Sequence, residues 1–333
     1  MDAVLPDALR AAIDRRLEGQ GRAGLAQRAL ALSEGYRRGR ASSALVKGEA
    51  DALAYALTRT PATYAAARRA LEEVLALRPA FAPTRLLDAG AGPGGGGWAA
   101  LDALPGLTAV TRLDHSAAFL DLAEELAAAG PAALATATRL RADLTDPALV
   151  LPDADLILAA YALTEVPVAT LPAVIDKLWS ATRGVLLIVE PGSPEGWRRG
   201  LEIRTALIAA GARLVGPCPH AAACALRSPD WCHFAQRLPR GREHRLAKGG
   251  AAPFEDEKFF WLAFERPVAR AAAAPSGARI IAPPRPGKPG LRLRLCRPDG
   301  RVEDTEILRR DRVAFARARR LGWGEAFDPG DLQ

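Results

Sequence analysis

The chain has 333 residues, 49% hydrophobic and 25% charged, with 45 Lys and Arg against 38 Asp and Glu for a net charge of +7. That apolar content fills one large domain or two and excludes a disordered chain. No run approaches the roughly 20 uninterrupted apolar residues that span a bilayer, so no membrane association is expected, and the modest basic excess permits a phosphate-rich partner without requiring one.

Acidic residues at Asp2, Asp7, Asp14 and Glu18 argue against a mitochondrial transit peptide, and no signal-peptide apolar core is present; the reading is a bacterial cytoplasmic protein. From 1 to 80, ALRAAIDRRL, AQRALALSEGY and TYAAARRALEEVLAL carry apolar residues at three- and four-residue spacing, which predicts a helical region. From 81 to 266, the apolar runs RLLDAG, TAVTRLD, DLILAAYAL, GVLLIVE and ARLVG alternate with helical stretches, the pattern of a doubly wound, Rossmann-like α/β sheet. Within it, 217–253 loses periodicity and gathers Cys, His and Arg. Because EKFFWLAFERP resumes strand character, this stretch is expected as an insertion between the last two strands. A Pro- and Ala-rich linker near 267 to 277 introduces a C-terminal unit, 267–333, in which ARIIAP, LRLRLC, the turn RPDG and RVEDTEIL predict a small β-rich body. A basic helix, RRDRVAFARARR, follows and stops at Gly322.

In LLDAGAGPGGGG a strand runs into Asp88, and Gly90, Gly92 and Gly94 permit a tight turn with close backbone approach to a ligand before a helix near Gly97 or Trp98. Asp114 ends the next strand, where a ribose-binding carboxylate belongs, and Asp143 ends the one after. The plain alternative is a turn that only packs helix on sheet, with Asp143 a solvated loop carboxylate. The run DAGAGPG resembles motif I of class I S-adenosylmethionine-dependent methyltransferases. That resemblance implies Gly90 and Gly92 at the methionine part of the cofactor, Asp114 at the ribose hydroxyls and Asp143 at the adenine amino group. The Asn- or Asp-Pro-Pro-aromatic motif of base N-methyltransferases is absent from AAYALTEV, where Tyr161 and Glu165 read more simply as a satisfied loop tyrosine and a capping glutamate. Catalytic residues are left unassigned.

Cys218, Cys224, Cys232 and Cys296 are the only cysteines. Disulfides are disfavoured in the cytosol, so the choice lies between metal ligation and buried thiols. The C-x2-C knuckles of zinc ribbons are missing, and on spacing alone an iron–sulfur cluster and a zinc ion fit comparably. Strand parity puts Leu291, Leu293 and Leu295 on one face of LRLRLC and Arg292, Arg294 and Cys296 on the other, so the fourth thiol can turn back toward the insertion. His220, His233 or His244 could replace one cysteine at a zinc ion, although hydrogen-bonded or phosphate-facing histidines are the blander reading.

PCPH, CAL, DWCHFAQRLPR, HRLAKGG and FEDEKFFWLAFER, with the glycine loop and LCRPDGR, resemble the mitochondrial ribosomal small-subunit family that includes methyltransferase-like protein 17 and its bacterial relatives. The match runs from about residue 30 to WGEAF. It implies a class I methyltransferase fold, a [4Fe–4S] cluster on Cys218, Cys224, Cys232 and Cys296, and association with the small ribosomal subunit and its rRNA during maturation, with methyl transfer in the family weak or undemonstrated. Arg237, Arg240, Arg242, Arg245 and Lys248 beside the cysteines, and Arg309, Arg310, Arg312, Arg317, Arg319 and Arg320 in the last helix, are candidate phosphate contacts, with Trp231, Phe234 and Trp323 as stacking surfaces. Such runs usually mean a solvated face; two of them flanking one metal site favour phosphate contact. The sequence does not give the oligomeric state, and a monomer is taken as the simplest case.

Overall fold

A computed structural model describes residues 3–38, 40–248, 252–267 and 277–327. Five helices open it: α1 (Asp7–Leu17), α2 (Arg22–Arg37), α3 (Ser42–Leu45), α4 (Glu49–Thr58) and α5 (Thr60–Leu77). The α/β body follows as β1 (Arg85–Ala89), α6 (Gly95–Ala103), β2 (Ala109–Asp114), α7 (Ala117–Ala127), α8 (Ala132–Ala135), β3 (Thr138–Arg141) and β4 (Ala154–Ala160), and then α9 (Leu171–Ala181), β5 (Thr182–Pro191), α10 (Pro194–Ala209) and β6 (Arg213–Gly216). The insertion contributes β7 (Phe234–Pro239) and α11 (Arg242–Lys248) before β8 (Phe254–Glu265). The C-terminal unit holds β9 (Ala278–Ile280), β10 (Arg285–Pro286), β11 (Gly290–Cys296), β12 (Val302–Leu308), α12 (Arg312–Ala318) and β13 (Ala326–Phe327).

The main sheet runs β3-β2-β1-β4-β5-β8-β6, parallel from β3 to β5, with β8 antiparallel between β5 and β6. A parallel sheet with one antiparallel strand inserted next to its edge strand, its order reversing between β1 and β4, is the class I methyltransferase arrangement expected from the sequence, and the reversal opens a ligand crevice at the strands' carboxyl ends. β8 is long. Its second half lies between β5 and β6, while Phe254–Phe259 runs past the body and pairs with β7, so the insertion is an extended hairpin growing from the last two strands. The expected linker lies largely outside the described residues, as does 249–251 of the insertion.

The N-terminal helices share the sheet's core: Leu9, Leu53 and Leu71 are buried in the same cluster as Leu87, Leu158 and Phe264. Burying each such side chain contributes about 1.5–3 kcal/mol. Among the described residues, the C-terminal unit has its own core of eight buried residues, including Ile280, Leu293 and Leu295. Arg279 of β9 ties it to the rest: its guanidinium donates to Glu73 of α5 at 2.6 Å and to the Pro217 carbonyl at 3.0 Å, at 3% exposure. The basic helix α12 is shorter than expected because Arg309 and Arg310 form the turn that follows β12.

Candidate cofactor pocket and four-cysteine centre

At the crevice, Gly90 (φ +79°), Gly92 (φ +53°) and Gly94 (φ +92°) carry the chain from β1 into α6 in left-handed conformations. Gly90 is required twice over, since a Cβ there would also stand 2.4 Å from that of Ala162. The helix starts at Gly95, two residues ahead of the expected start, because its small first turn packs against Asp88 and Thr60. A cavity of about 400 Å³ opens beside the loop, and Gly90, Gly92, Asp114 and Asp143 line it together with His115, Tyr161 and Glu165.

Asp114 accepts from the Gly92 N–H (2.8 Å) with one oxygen and the Ser116 N–H (2.8 Å) with the other, which fixes its carboxylate against the loop. Each oxygen keeps a second acceptor site, and burial holds its pKa above the usual range. Asp143 accepts from the Thr145 N–H (2.8 Å) and hydroxyl (2.7 Å), and these bonds, the N–H first, keep its carboxyl low. Asp88 and Gly94 do not line the cavity. Asp88 lies beneath α6, 1% exposed, where burial pushes its pKa up to about 7. It supports the loop from behind.

Tyr161 and Glu165, expected as a satisfied loop tyrosine and a capping glutamate, find partners far away in the sequence. Tyr161 has a left-handed backbone (φ +59°), strained for a bulky residue, and its hydroxyl donates to Glu257 at 2.8 Å. Glu165 accepts from the Ser42 N–H (2.9 Å) and hydroxyl (2.6 Å), capping not its own turn but the start of α3, so the N-terminal region roofs the pocket. Ser42 and Glu165 are 123 residues apart, and no local pattern pairs them.

Cys218 and Cys224 follow β6 in the insertion, Cys232 precedes β7, and Cys296 ends β11. Cys232 is buried and Cys218, Cys224 and Cys296 are partly buried, all free. Each of the six pairs among them is close enough for one sulfur's charge to be felt by the other. Burial raises the Cys218 and Cys232 thiols and pushes Cys296 up to about 12. Among the described residues, however, no three His, Cys, Asp or Glu side chains close on a point that one metal ion could occupy. The parity argument for Cys296 holds: Leu291, Leu293 and Leu295 enter the small core, and Cys296 faces the insertion, its Sγ 3.4 Å from His220 Nε2. Of the other histidines, His233 stacks on Trp231 (5.1 Å between centroids) with Trp323 edge-on, and His244 is buried in α11.

Arg204 of α10 was also missed. It is 3% exposed and donates to the carbonyls of His220 (2.6 Å) and Ala222 (2.9 Å), its charge acts to lower the Cys218 thiol, and its Nε has no hydrogen-bond partner among the described residues. Its signal was a cation on the buried stripe Gly200, Ile203, Leu207. Gly200 brings α10 this close, since a Cβ there would stand 2.0 Å from Phe260. Against burial, the guanidinium of Arg279 and, for Cys218 and Cys296, that of Arg204 act to lower these thiols.

Residues 49–328 match the family model described as mitochondrial small ribosomal subunit Rsm22. The chain belongs to the Rsm22 family. This Rsm22-family chain is 27% identical over 309 residues to the human mitochondrial ribosome assembly protein METTL17, across 86% of this chain and 66% of METTL17, so it spans just under two thirds of that relative. Among solved structures it is similar to the N-methyltransferase NodS of Bradyrhizobium japonicum (14% identity, 63% of this chain and 89% of that one, TM-score 0.41) and to magnesium protoporphyrin IX methyltransferase of Synechocystis (16%, 60% and 79%, TM-score 0.39). No helix among the described residues is long and apolar enough to cross a membrane.

The expected phosphate-binding cluster of the insertion is largely committed elsewhere in this Rsm22-family fold. Arg237 pairs with Asp256 at 2.8 Å and packs over Phe254, and Arg240 and Lys248 both turn onto Glu255 at 2.8 Å. Phe234 is no stacking surface. It is 3% exposed and packs near Phe259. Arg310, Arg312, Arg319 and Arg320, by contrast, are exposed on and beside α12 without a carboxylate partner among the described residues.

Proposed function

We propose that this chain is an assembly factor of the small ribosomal subunit that binds its rRNA, with a retained S-adenosylmethionine pocket and one [4Fe–4S] cluster on Cys218, Cys224, Cys232 and Cys296. The family match over 49–328, described as mitochondrial small ribosomal subunit, and the likeness to the ribosome assembly protein METTL17 support the assembly role. For the cluster, the support is the mutual approach of four thiols drawn from the insertion and from β11. Burial penalises the thiolates of Cys218, Cys232 and Cys296, and metal ligation would offset that penalty. The absence of C-x2-C knuckles speaks against a zinc ribbon, the family resemblance points to a cluster, and a zinc ion is the alternative occupant of the same residues. Its role is then a cross-link that fixes the C-terminal unit, and with it α12, to the body. Exposed Arg310, Arg312, Arg319 and Arg320 are the phosphate contacts.

In the pocket, Gly90 and Gly92 present backbone to the methionine part, Asp114 accepts from the ribose hydroxyls, and Asp143 accepts from the adenine amino group. When bound, the cofactor supplies an electrophilic methyl group. The chain's own equipment for using it is poor: the Tyr161 hydroxyl is held by Glu257, and the Glu165 carboxylate is held by Ser42. Binding without transfer is the expected behaviour.

Incubating the purified chain with immature small subunits and methyl-labelled S-adenosylmethionine tests both parts. The expected result is retention of rRNA with no label transferred. Label on the rRNA would instead support an active rRNA methyltransferase, the reading that the intact pocket favours, and loss of retention would overturn the assembly role.

A further inference from the structure

Glu165 stands at the pocket beside Gly90 with one carboxylate oxygen unused. Its Oε2 takes both bonds from Ser42, while Oε1 accepts none from any described residue and is not among the buried atoms. Glu165 lines the cavity together with Asp114 and Asp143, and among the described residues no Lys or Arg shares that wall. His115, which stands 3.5 Å from Asp114, can offset one of these three carboxylates at most. Cations around the cavity are turned to other partners. Lys177 donates to the Leu144 carbonyl at 3.0 Å, exposed Arg141 to that of His115 at 3.4 Å, and Arg59 acts against Glu257.

The wall therefore carries an excess of negative charge in a partly buried place, where salt screens it weakly. The rings of Tyr55, Phe119 and Tyr161 line the same cavity, and aromatic faces attract a cation further. Burial pushes the Glu165 carboxyl above its ordinary range, with the Asp114 charge acting in the same direction, and a cation bound beside it would relieve that penalty.

The two forms of the cofactor differ by one methyl group and one charge: S-adenosylmethionine carries a sulfonium, and S-adenosylhomocysteine a neutral thioether. The sulfur joins the methionine part to the ribose, which in the pocket proposed above puts it between Gly90 and Asp114. Gly90 abuts Ala162 so closely that a Cβ would stand 2.4 Å from the alanine's, and Glu165 ends the turn that follows Ala162. We propose that Glu165 is a specificity residue that makes the pocket prefer the sulfonium form to the thioether form, a preference that presupposes the cofactor pocket itself. A site with this preference stays filled with methyl donor as the spent form accumulates, so its occupancy follows donor supply. Ala41, Ser42 and Tyr55 share the cavity, so occupancy also joins the N-terminal roof to the body.

Titration calorimetry of the full chain with S-adenosylmethionine, S-adenosylhomocysteine and sinefungin, which bears an ammonium in place of the sulfonium, tests the assignment. The expected result is that both cationic ligands bind about tenfold tighter than S-adenosylhomocysteine, a difference of about 1.4 kcal/mol. At equal concentration they should also give the larger rise in melting temperature. Glu165→Gln keeps an acceptor for Ser42 and should bring the three affinities to within about twofold, since only the charge is removed, with circular dichroism unchanged. If that variant does not fold, the wild-type ratio decides alone. Equal affinities in the wild type, or a preference that survives in the Gln variant, would overturn the proposal while leaving the cofactor pocket in place. Absence of heat with all three ligands would remove the pocket and this preference together.

Discussion

Glu190 closes β5 inside the core at 0% exposure, one oxygen accepting from the Leu163 N–H at 3.0 Å and the other without a partner. Burial raises its pKa from an ordinary 4.5 to about 8. The folded protein therefore holds this proton more tightly than the unfolded chain. The stability it contributes is full below the unfolded value and is lost as pH rises toward the folded one, by up to about 1.4 kcal/mol per pH unit. Asp88, raised to about 7, acts in the same direction. Glu190→Gln should flatten the decline in thermal stability between about pH 5 and 8, and a decline as steep as the wild type's would remove Glu190 as its source. At the pocket, Asp114→Asn should weaken S-adenosylhomocysteine by roughly 1.5–3 kcal/mol in calorimetry, the worth of a hydrogen bond to a charged group. Unchanged affinity would leave Asp114 as a support for Gly92 and Ser116 only.

At the scale of elements, α10 and the extended β7–β8 hairpin carry the arrangement. Arg204 projects from α10 to hold the His220 and Ala222 carbonyls, so the cysteine loop takes its shape from a helix that supplies no ligand. Arg204→Met should leave the far-UV spectrum intact while lowering the iron-to-protein ratio of anaerobically purified chain, and full iron content would show that the loop does not need it. The two basic elements separate in the same way. Replacing Arg312, Arg319 and Arg320 by Ala should lower the log–log salt slope of rRNA binding by roughly 0.7–0.9 per lost phosphate contact. Arg240→Ala should instead lower the melting temperature, because it leaves Lys248 alone on Glu255, which is 12% exposed in its side chain. Equal slopes for the two sets would return the insertion to the RNA surface.

For the whole molecule, what could be read beforehand was what is written locally. Strand runs ending in Asp88 and Asp114, the glycine turn, and the period-two face of LRLRLC each depend on neighbouring residues, and the sheet and the direction of Cys296 followed from them. Long-range pairings were not legible: Ser42 on Glu165, Arg279 on Glu73 and Arg240 on Glu255 join segments whose patterns are silent about each other. The charge run of the insertion was not legible for the same reason, since whether an arginine faces solvent or a carboxylate, as Arg240 faces Glu255, is set by tertiary packing. The function proposed above joins these pieces: a cysteine centre that locks the C-terminal unit so that α12 can meet rRNA. Gradient sedimentation of tagged wild-type and Cys232→Ser chains, prepared anaerobically with small-subunit precursors, tests that account most directly. The wild type should migrate with the precursors and the variant at the top of the gradient; a wild type that stays at the top, or a variant that migrates equally well, would contradict it.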